Sequence, residues 1–132
     1  MISNEDSLQE PTRLLIVDDE KGYVNVLAKR MAKRNIVVTP AYSGSEGIQA
    51  LRRQDFDVAV LDLKMEDMDG IEVLKIFQKM VPGMPVIMLT GHGSEKAARE
   101  GMEFGAFDYL TKPCDLEQLI AKIKQARDAT RR

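Results

Sequence analysis

The stretch DVAVLDLKMEDMDG, residues 57–70, decides how this chain folds. Its run VAVL, residues 58–61, is apolar at every position, which is typical of a parallel strand that helices cover on both faces. The run stops on Asp62, and the charged residues and glycine that follow predict a loop. A strand of this kind places its last carboxylate at the carboxyl edge of the sheet, where open α/β sheets bind ligands.

Three further apolar runs also stop on a residue able to bind a metal or a phosphate. They are LLIV at 14–17 before Asp18-Asp19, VIML at 86–89 before Thr90, and FDYL at 107–110 before Thr111-Lys112-Pro113. Parallel strands end along one edge of a sheet, so three carboxylates, a hydroxyl and an ammonium group would share one crevice. The pattern predicts an acidic, metal-dependent phosphoryl site.

Helical patterns separate these runs, because apolar residues recur there with the spacing of one helix face. They predict helices over 20–34, 43–53, 70–80, 94–103 and 115–128, with a further strand over 36–42. The alternation predicts an α/β fold in which helices cover both faces of a five-stranded parallel sheet.

The helix predicted over 94–103 is the weakest of the five. Its inward face would be Ala98, Gly101 and Met102, and a glycine inside a helix costs about 1 kcal/mol relative to alanine. We expect this helix to pack shallowly and to shift more easily than its neighbours.

Length and composition indicate one cytoplasmic domain. A chain of 132 residues can bury a core without disulfides, and Cys114, the single cysteine, cannot form an internal one. We expect a folded domain over 12–128 between a mobile tail, 1–11, and a short tail, 129–132. The acidic start is unlike a secretory signal, and no apolar run approaches the ~20 residues of a membrane span. A net charge of −2 argues against a nucleic-acid surface.

The three aspartates at the predicted strand ends need a counter-charge. Two carboxylates about 4 Å apart repel by about 4 kcal/mol even at an effective dielectric constant of about 20. A hard divalent cation relieves this repulsion, and Mg²⁺ is preferred where phosphate also enters. Lys112 adds a positive charge and Thr90 a hydroxyl donor. Asp62, on the central run, is the best candidate for a nucleophile that attacks phosphorus in line.

Several short motifs occur in a characteristic order. They are IVDDE at 16–20, DLKM at 62–65, MDG at 68–70, LTGHG at 89–93 and GAFDYLTKP at 105–113. Each motif is weak alone, but with all of them the chain resembles the receiver domain of response regulators in bacterial two-component signalling, across residues 12–128. The resemblance implies a flavodoxin-like, doubly wound (βα)5 fold.

The resemblance implies that Asp62 is phosphorylated by a histidine kinase or a histidine phosphotransfer protein, or slowly by small phosphodonors. Asp19 and Asp62 would bind Mg²⁺ directly, with the backbone carbonyl of Lys64 as a third ligand. Asp18 would act mainly through water, and Mn²⁺ could replace Mg²⁺. The domain would catalyse only its own phosphorylation and slow autodephosphorylation, so it would not be an enzyme for external substrates.

The resemblance also implies which residues bind the phosphoryl group and respond to it. The Thr90 hydroxyl would bind it, the Tyr109 ring would turn inward behind Thr90, and Lys112 would pair with phosphoryl oxygens. The Lys112–Pro113 bond is commonly cis in this family, which only an X-Pro bond does cheaply. The signal would leave through residues 94–128 to an unnamed downstream protein, with phosphorylation-dependent homodimerisation left open.

Two loops carry further expectations. Many receivers have Pro-Gly where this chain has Glu66-Asp67, so the loop is less pre-set and two more negative charges lie near the metal. We expect altered Mg²⁺ affinity or phosphoryl lifetime as a result. His92, in a glycine-flanked loop, either tunes the access of hydrolytic water or is an inert loop residue, and a phosphocarrier role is disfavoured.

Alternative functions stay open at this point. The chain could be a free-standing receiver that acts through protein contact or passes phosphate onward, or a module excised from a larger regulator or hybrid kinase. An aspartyl-phosphate phosphohydrolase shares the nucleophile and Mg²⁺, but Lys64 stands where the haloacid-dehalogenase type has a second aspartate. A flavodoxin-like cofactor module is disfavoured because Asp18-Asp19 would repel a phosphate. A phosphorylation-independent scaffold is disfavoured because every catalytic position holds a competent residue.

Overall fold

Five strands and five helices alternate along the residues that the structure, a computed structural model, describes, which are 10–91 and 94–130. In chain order they are β1 Thr12–Val17, α1 Lys21–Ala32, β2 Ile36–Ala41, α2 Gly44–Arg53, β3 Val58–Asp62, α3 Gly70–Met80, β4 Val86–Thr90, α4 Glu95–Glu103, β5 Asp108–Thr111 and α5 Leu116–Thr130. All five strands are parallel, in the order β2-β1-β3-β4-β5. The doubly wound α/β fold class predicted from the sequence is confirmed.

The side chains of the central strands alternate between two hydrophobic cores, one on each face of the sheet. In β1, Leu15 and Val17 face the core shared with α2 and α3, whereas Leu14 and Ile16 face the core shared with α1 and α5. All four side chains are fully buried. These four positions are therefore all apolar, because helices cover both faces of the sheet.

The sheet order brings the ends of β1 and β3 side by side. Val17 pairs with Leu61 in the parallel register, so Asp18 and Asp62 follow at the ends of neighbouring strands. Within the sheet, β2 lies next to β1 on one side and β3 lies next to β1 on the other, so the strand order reverses direction at β1. The crevice above β1 and β3 is thus the topological switch point, where ligands bind in such sheets. Strand β4 extends this edge to Thr90.

Helix α4 has only two buried residues, fewer than any other described helix, which agrees with the shallow packing expected from the sequence. Ala98 and Gly101 are buried as expected, and a Cβ atom added at Gly101 would lie 2.2 Å from the Met88 sulfur. The glycine therefore permits a close approach of the helix to β4. The prediction that Met102 faces inward is wrong, because its side chain is 38% exposed. It lies about 100° further round the helix than Gly101, the point of closest contact.

No helix within residues 10–91 and 94–130 is long and apolar enough to cross a membrane.

Candidate functional site

Three carboxylates converge at the switch point of the sheet. One oxygen from each of Asp18, Asp19 and Asp62 lies within 4.8 Å of the others. Asp18 and Asp19 directly follow β1, and Asp62 is the last residue of β3. The parallel pairing of these two strands therefore forces the three charges together, as the apolar runs predicted.

Asp62 is buried although it carries an ionisable group. Only 5% of the residue is exposed, and its Oδ1 accepts a hydrogen bond from the Lys64 backbone N–H at 3.1 Å. Burial raises the pKa of Asp62 to about 6, against the lowering effect of that hydrogen bond. The charge of Asp18 raises this pKa further, because two neighbouring carboxylates disfavour ionising together. A bound cation would restore the ionised, nucleophilic form.

Asp18 and Asp19 are held in different ways. The Asp18 carboxylate is fully buried and accepts from the backbone N–H of Glu20 at 2.9 Å and from the Lys112 ammonium at 2.9 Å. Asp19 is more accessible, and its Oδ2 accepts from the backbone N–H of Glu66 at 3.3 Å. Asp18 is therefore tied to β5 and the start of α1, whereas Asp19 is tied to the loop after β3.

Lys112 has two closer carboxylate partners than Asp62. Its Nζ lies 2.5 Å from Glu20, 2.9 Å from Asp18 and 3.7 Å from Asp62. Burial acts to lower the pKa of Lys112, but the hydrogen bonds to Glu20 and Asp18 outweigh it and raise the pKa above its ordinary value. The ammonium also lies 4.8 Å from the ring centre of Tyr23. Glu20 was not singled out from the sequence, although it directly follows the aspartate pair.

Thr90 is buried whereas Tyr109 is exposed in this conformation. The Thr90 hydroxyl donates a long hydrogen bond of 3.4 Å to the Leu110 carbonyl. The Tyr109 side chain lies outward, at 39% exposure. The backbone N–H of Lys112 donates to the Thr90 carbonyl at 2.6 Å, and the Lys112–Pro113 bond is cis. Strand β5 thus presents Lys112 to the crevice beside Thr90.

The loop from Leu63 to Gly70 is closed on itself. Gly70 N–H donates to the Leu63 carbonyl at 3.2 Å, and Lys64 forms an isolated antiparallel bridge with Asp69. A Cβ atom at Gly70 would lie 2.5 Å from the Leu63 Cα, so only glycine permits this approach. Asp69 caps α3 by accepting from the Ile71 N–H at 3.1 Å. The loop therefore holds Lys64 at a defined place beside Asp62.

Two residues singled out from the sequence add little here. His92 lies outside the described residues. Cys114 is half-buried, and burial raises the pKa of its thiol, which keeps it in the less reactive protonated form.

The donor set suits a hard divalent cation. The three side chains offer only oxygen atoms, which are the ligands that Mg²⁺ takes, commonly from one or two carboxylates with water and phosphate. Among the residues that the structure describes, Lys112 alone brings a positive charge to this cluster, so their charges sum to a negative value. The raised pKa of the buried Asp62 carboxylate shows that its ionised form is disfavoured, and a bound cation would stabilise that form.

Comparisons with known sequences agree with this geometry. A family model for the response regulator receiver domain matches residues 14–124. Transcriptional regulatory protein GlrR of Escherichia coli K12 is 41% identical over 117 residues, which cover 89% of this chain and 26% of that protein. Transcriptional regulatory protein ZraR of the same strain is 34% identical over 113 residues, 86% of this chain and 26% of that protein. The chain thus spans about a quarter of the length of these relatives.

Solved structures extend the agreement to the fold. A CheY-like receiver domain protein from Methanospirillum hungatei JF-1 superposes with a TM-score of 0.87 at 31% identity, covering 92% of this chain and 97% of that one. The receiver domain of the Francisella response regulator 1452 gives 0.84 at 32% identity, covering 91% and 99%. Both the family match and the sheet-edge site lead to one assignment: the chain belongs to the response regulator receiver domain family of two-component signalling.

Proposed function

We propose that Asp62 is the residue that accepts the phosphoryl group. The observation that carries the proposal is the buried Asp62 carboxylate between Asp18, Asp19 and the ammonium of Lys112, at the carboxyl edge of the sheet. An Asp62 oxygen would attack phosphorus in line and form an acyl phosphate. The bond from phosphorus to the donor breaks: a phosphohistidine releases its ring nitrogen, which takes up a proton from water to give neutral histidine, and acetyl phosphate releases acetate.

We propose Mg²⁺ as the cofactor of this step, with Mn²⁺ as a substitute. Asp19, Asp62 and the backbone carbonyl of Lys64 would hold it, and Asp18 would act mainly through water. When bound, Mg²⁺ neutralises negative charge on the transferring phosphoryl oxygens. The hydrogen bond from Lys64 N–H to Asp62 supports this assignment, because it keeps that backbone segment beside the carboxylate.

Thr90 and Lys112 would bind the transferred group. The Thr90 hydroxyl has only a long hydrogen bond at present, so it is available to donate to a phosphoryl oxygen. Lys112 lies 3.7 Å from Asp62 and would move from its other carboxylate partners to the phosphoryl oxygens. Tyr109, now exposed, would turn inward into space vacated by Thr90. His92 remains a candidate for tuning hydrolysis.

The domain, taken as residues 12–128, would work as a signalling switch in the cytoplasm. A receiver domain implies a phosphodonor partner such as a histidine kinase, and a histidine phosphotransfer protein is the alternative donor. We propose that the signal leaves through residues 94–128, with homodimerisation on phosphorylation as one route. The relatives are named transcriptional regulatory proteins, which favours control of transcription as the eventual output, in a longer chain or through a separate partner.

Hydrolysis of external phosphate esters is not favoured. Such an aspartyl-phosphate enzyme of the haloacid-dehalogenase type needs a second carboxylate two residues after the nucleophile, and Lys64 stands at that position. The Lys64 side chain is exposed. The domain would therefore catalyse its own phosphorylation and slow dephosphorylation.

Intact-mass analysis tests the assignment. Wild type and Asp62→Asn are incubated with acetyl phosphate, each with Mg²⁺ and with excess chelator. We expect one added phosphoryl group on the wild type with Mg²⁺ and none in the other three samples. Labelling of both proteins, or of neither under conditions that label another receiver domain, would contradict the proposal. Several turnovers of a small phosphate ester would instead favour the hydrolase.

A further inference from the structure

We propose that Asp67 is a positioning residue that clamps the loop after β3 to the first turn of α2 and so sets where the Lys64 carbonyl lies in the metal site. The inference rests on the proposed Mg²⁺ site and adds a residue outside its ligand set. Asp67 belongs to the pair Glu66-Asp67 for which the sequence suggested only added negative charge near the metal.

The clamp consists of three hydrogen bonds. The Asp67 carboxylate accepts from Gly44 N–H at 2.9 Å, from Ser45 N–H at 3.1 Å and from the Ser45 hydroxyl at 3.2 Å. Gly44 and Ser45 open α2, where backbone N–H groups have no partner within the helix. Ser43, the residue before α2, caps only the Glu46 N–H, at 3.1 Å. Asp67 accepts from two N–H groups that Ser43 leaves free, and it lies 22 residues beyond Ser45 in the chain.

Charge favours the same contact. Hydrogen bonds, first of all that from Gly44 N–H, lower the pKa of Asp67 below its ordinary range. The positive end of the α2 dipole also favours a carboxylate at this place. Asp67 is thus kept ionised and directed at α2. Glu66 and Asp67 are both exposed, but the Glu66 side chain has no hydrogen bond or ion pair with any residue that the structure describes.

Packing makes the clamp sensitive to position. A Cβ atom at Gly44 would lie 3.0 Å from the Met68 sulfur and 3.2 Å from the Met68 Cβ, so the loop rests directly on the start of α2. At the other side, the Glu66 N–H donates to Asp19 at 3.3 Å. Two adjacent loop residues therefore fix this segment. The Glu66 N–H binds Asp19, a proposed metal ligand, and the Asp67 carboxylate binds the start of α2. A loop without the usual proline obtains its fixed shape from these contacts.

A pair of charge-matched variants tests the clamp. Asp67→Ala and Glu66→Ala each remove one negative charge from the same loop, but only the first removes the hydrogen bonds to α2. Titration calorimetry with MgCl₂ gives the dissociation constant of each. We expect Glu66→Ala to weaken binding by about twofold, as an exposed charge does. We expect Asp67→Ala to weaken it by about tenfold, as loss of support for a metal ligand does.

Two milder variants separate positioning from stability. Asp67→Asn keeps one acceptor oxygen, and Ser45→Ala removes only the hydroxyl donor, so both should bind Mg²⁺ with affinities between those of the wild type and Asp67→Ala. Amide hydrogen exchange should quicken at Gly44 and Ser45 in Asp67→Ala and stay unchanged in Glu66→Ala. Melting temperatures without Mg²⁺ serve as the stability readout.

The outcomes are distinct. Equal weakening by Asp67→Ala and Glu66→Ala would overturn the clamp and leave only a charge effect. A lower melting temperature with wild-type Mg²⁺ affinity, in Asp67→Ala or in the milder variants, would reduce Asp67 to a stabilising residue. Failure of the wild type itself to bind Mg²⁺ would contradict the proposed metal site. It would also contradict the role of Asp67 in positioning a ligand of that site.

Discussion

The carboxylate of Glu20 lies 2.5 Å from the ammonium of Lys112, closer than the carboxylate of Asp62 at 3.7 Å. The lysine that is expected to bind a phosphoryl group is thus held by a residue from the start of α1. Glu20 is largely exposed, so this contact is more easily broken than the contact between Lys112 and the buried Asp18. Binding of a phosphoryl group requires the ammonium to exchange one carboxylate partner for phosphate oxygens.

Glu20→Gln should make that exchange easier. The substitution removes the charge that competes for Lys112, so we expect phosphorylation by acetyl phosphate to be faster by about two- to fivefold, the scale of one exposed ion pair. The rate is measured by intact mass against time. Glu66→Gln is the control, because it removes a nearby charge without touching Lys112, and an equal acceleration there would point to simple charge repulsion of the donor.

Asp62→Asn should stabilise the metal-free domain in a pH-dependent way. The pKa of Asp62 is about 6 in the folded state, above its ordinary value, so the folded state binds the proton more tightly than the unfolded state. Stability of the wild type should therefore fall as pH rises from about 4 through 6 and then level off. The loss is about 3 kcal/mol, from a rise of about two pKa units at about 1.4 kcal/mol each.

Thermal melts in chelator at pH 4 and pH 7.5 measure this effect. The variant should melt several degrees higher than the wild type at pH 7.5 and nearly the same at pH 4. Glu103→Gln, an exposed change at the end of α4, should show no such difference. A variant that melts lower at pH 7.5 would contradict the picture of crowded carboxylates.

Mg²⁺ should stabilise the wild type and fail to stabilise Asp19→Asn. A ligand at about 100 times its dissociation constant adds about 2.7 kcal/mol to the free energy of unfolding. Melting temperature against MgCl₂ concentration measures it. Lowering the pH from 7.5 to 5 should weaken binding, because the proton on Asp62 then competes with the cation. Equal Mg²⁺ stabilisation in wild type and Asp19→Asn would remove Asp19 from the ligand set.

The chain has no tryptophan, so Tyr109→Trp creates a single fluorescent reporter on β5. The side chain at this position is exposed, and an inward turn on phosphorylation would shift its emission to shorter wavelength. We expect the shift with Mg²⁺ and beryllofluoride, a mimic of the phosphoryl group. Adding Thr90→Ala should abolish the shift while leaving phosphorylation by acetyl phosphate detectable. A shift that persists without the Thr90 hydroxyl would show that the side chain at position 109 moves independently of Thr90.

Gly101→Ala should destabilise the domain although alanine favours helix. The new Cβ atom would meet the Met88 sulfur at 2.2 Å, and forced overpacking costs about 1–3 kcal/mol. Gly22→Ala is the matched control in α1, where nothing lies within 4 Å of the added atom. It should stabilise by up to about 1 kcal/mol. Denaturant melts of both variants measure the difference.

The sheet edge could be predicted because its signal is local. Four apolar runs ending on polar residues suffice to bring Asp18 and Asp62 together once the strands are parallel. The rotation of α4 could not be predicted so well. Helical periodicity groups Ala98, Gly101 and Met102 on one side, but the contact between Gly101 and Met88 determines which residues are buried.

The partners of charged side chains were harder still to predict. The position of Asp67 suggested added charge near a metal, whereas the structure directs its carboxylate to the N–H groups of α2. Glu20 carried no signal beyond its place after Asp19. Both contacts depend on loop path and side-chain rotamer, which neither composition nor periodicity encodes.

The ammonium group that faces Asp18 comes from a residue 94 positions later in the chain. During synthesis the aspartates leave the ribosome well before Lys112, since translation proceeds at about 5–20 residues per second. A nascent chain that stops at β4 therefore holds Asp62, Asp18 and Asp19 without Lys112, the residue proposed to bind phosphoryl oxygens. We therefore expect the complete set of proposed phosphoryl-site residues to come together only once β5 has joined the sheet.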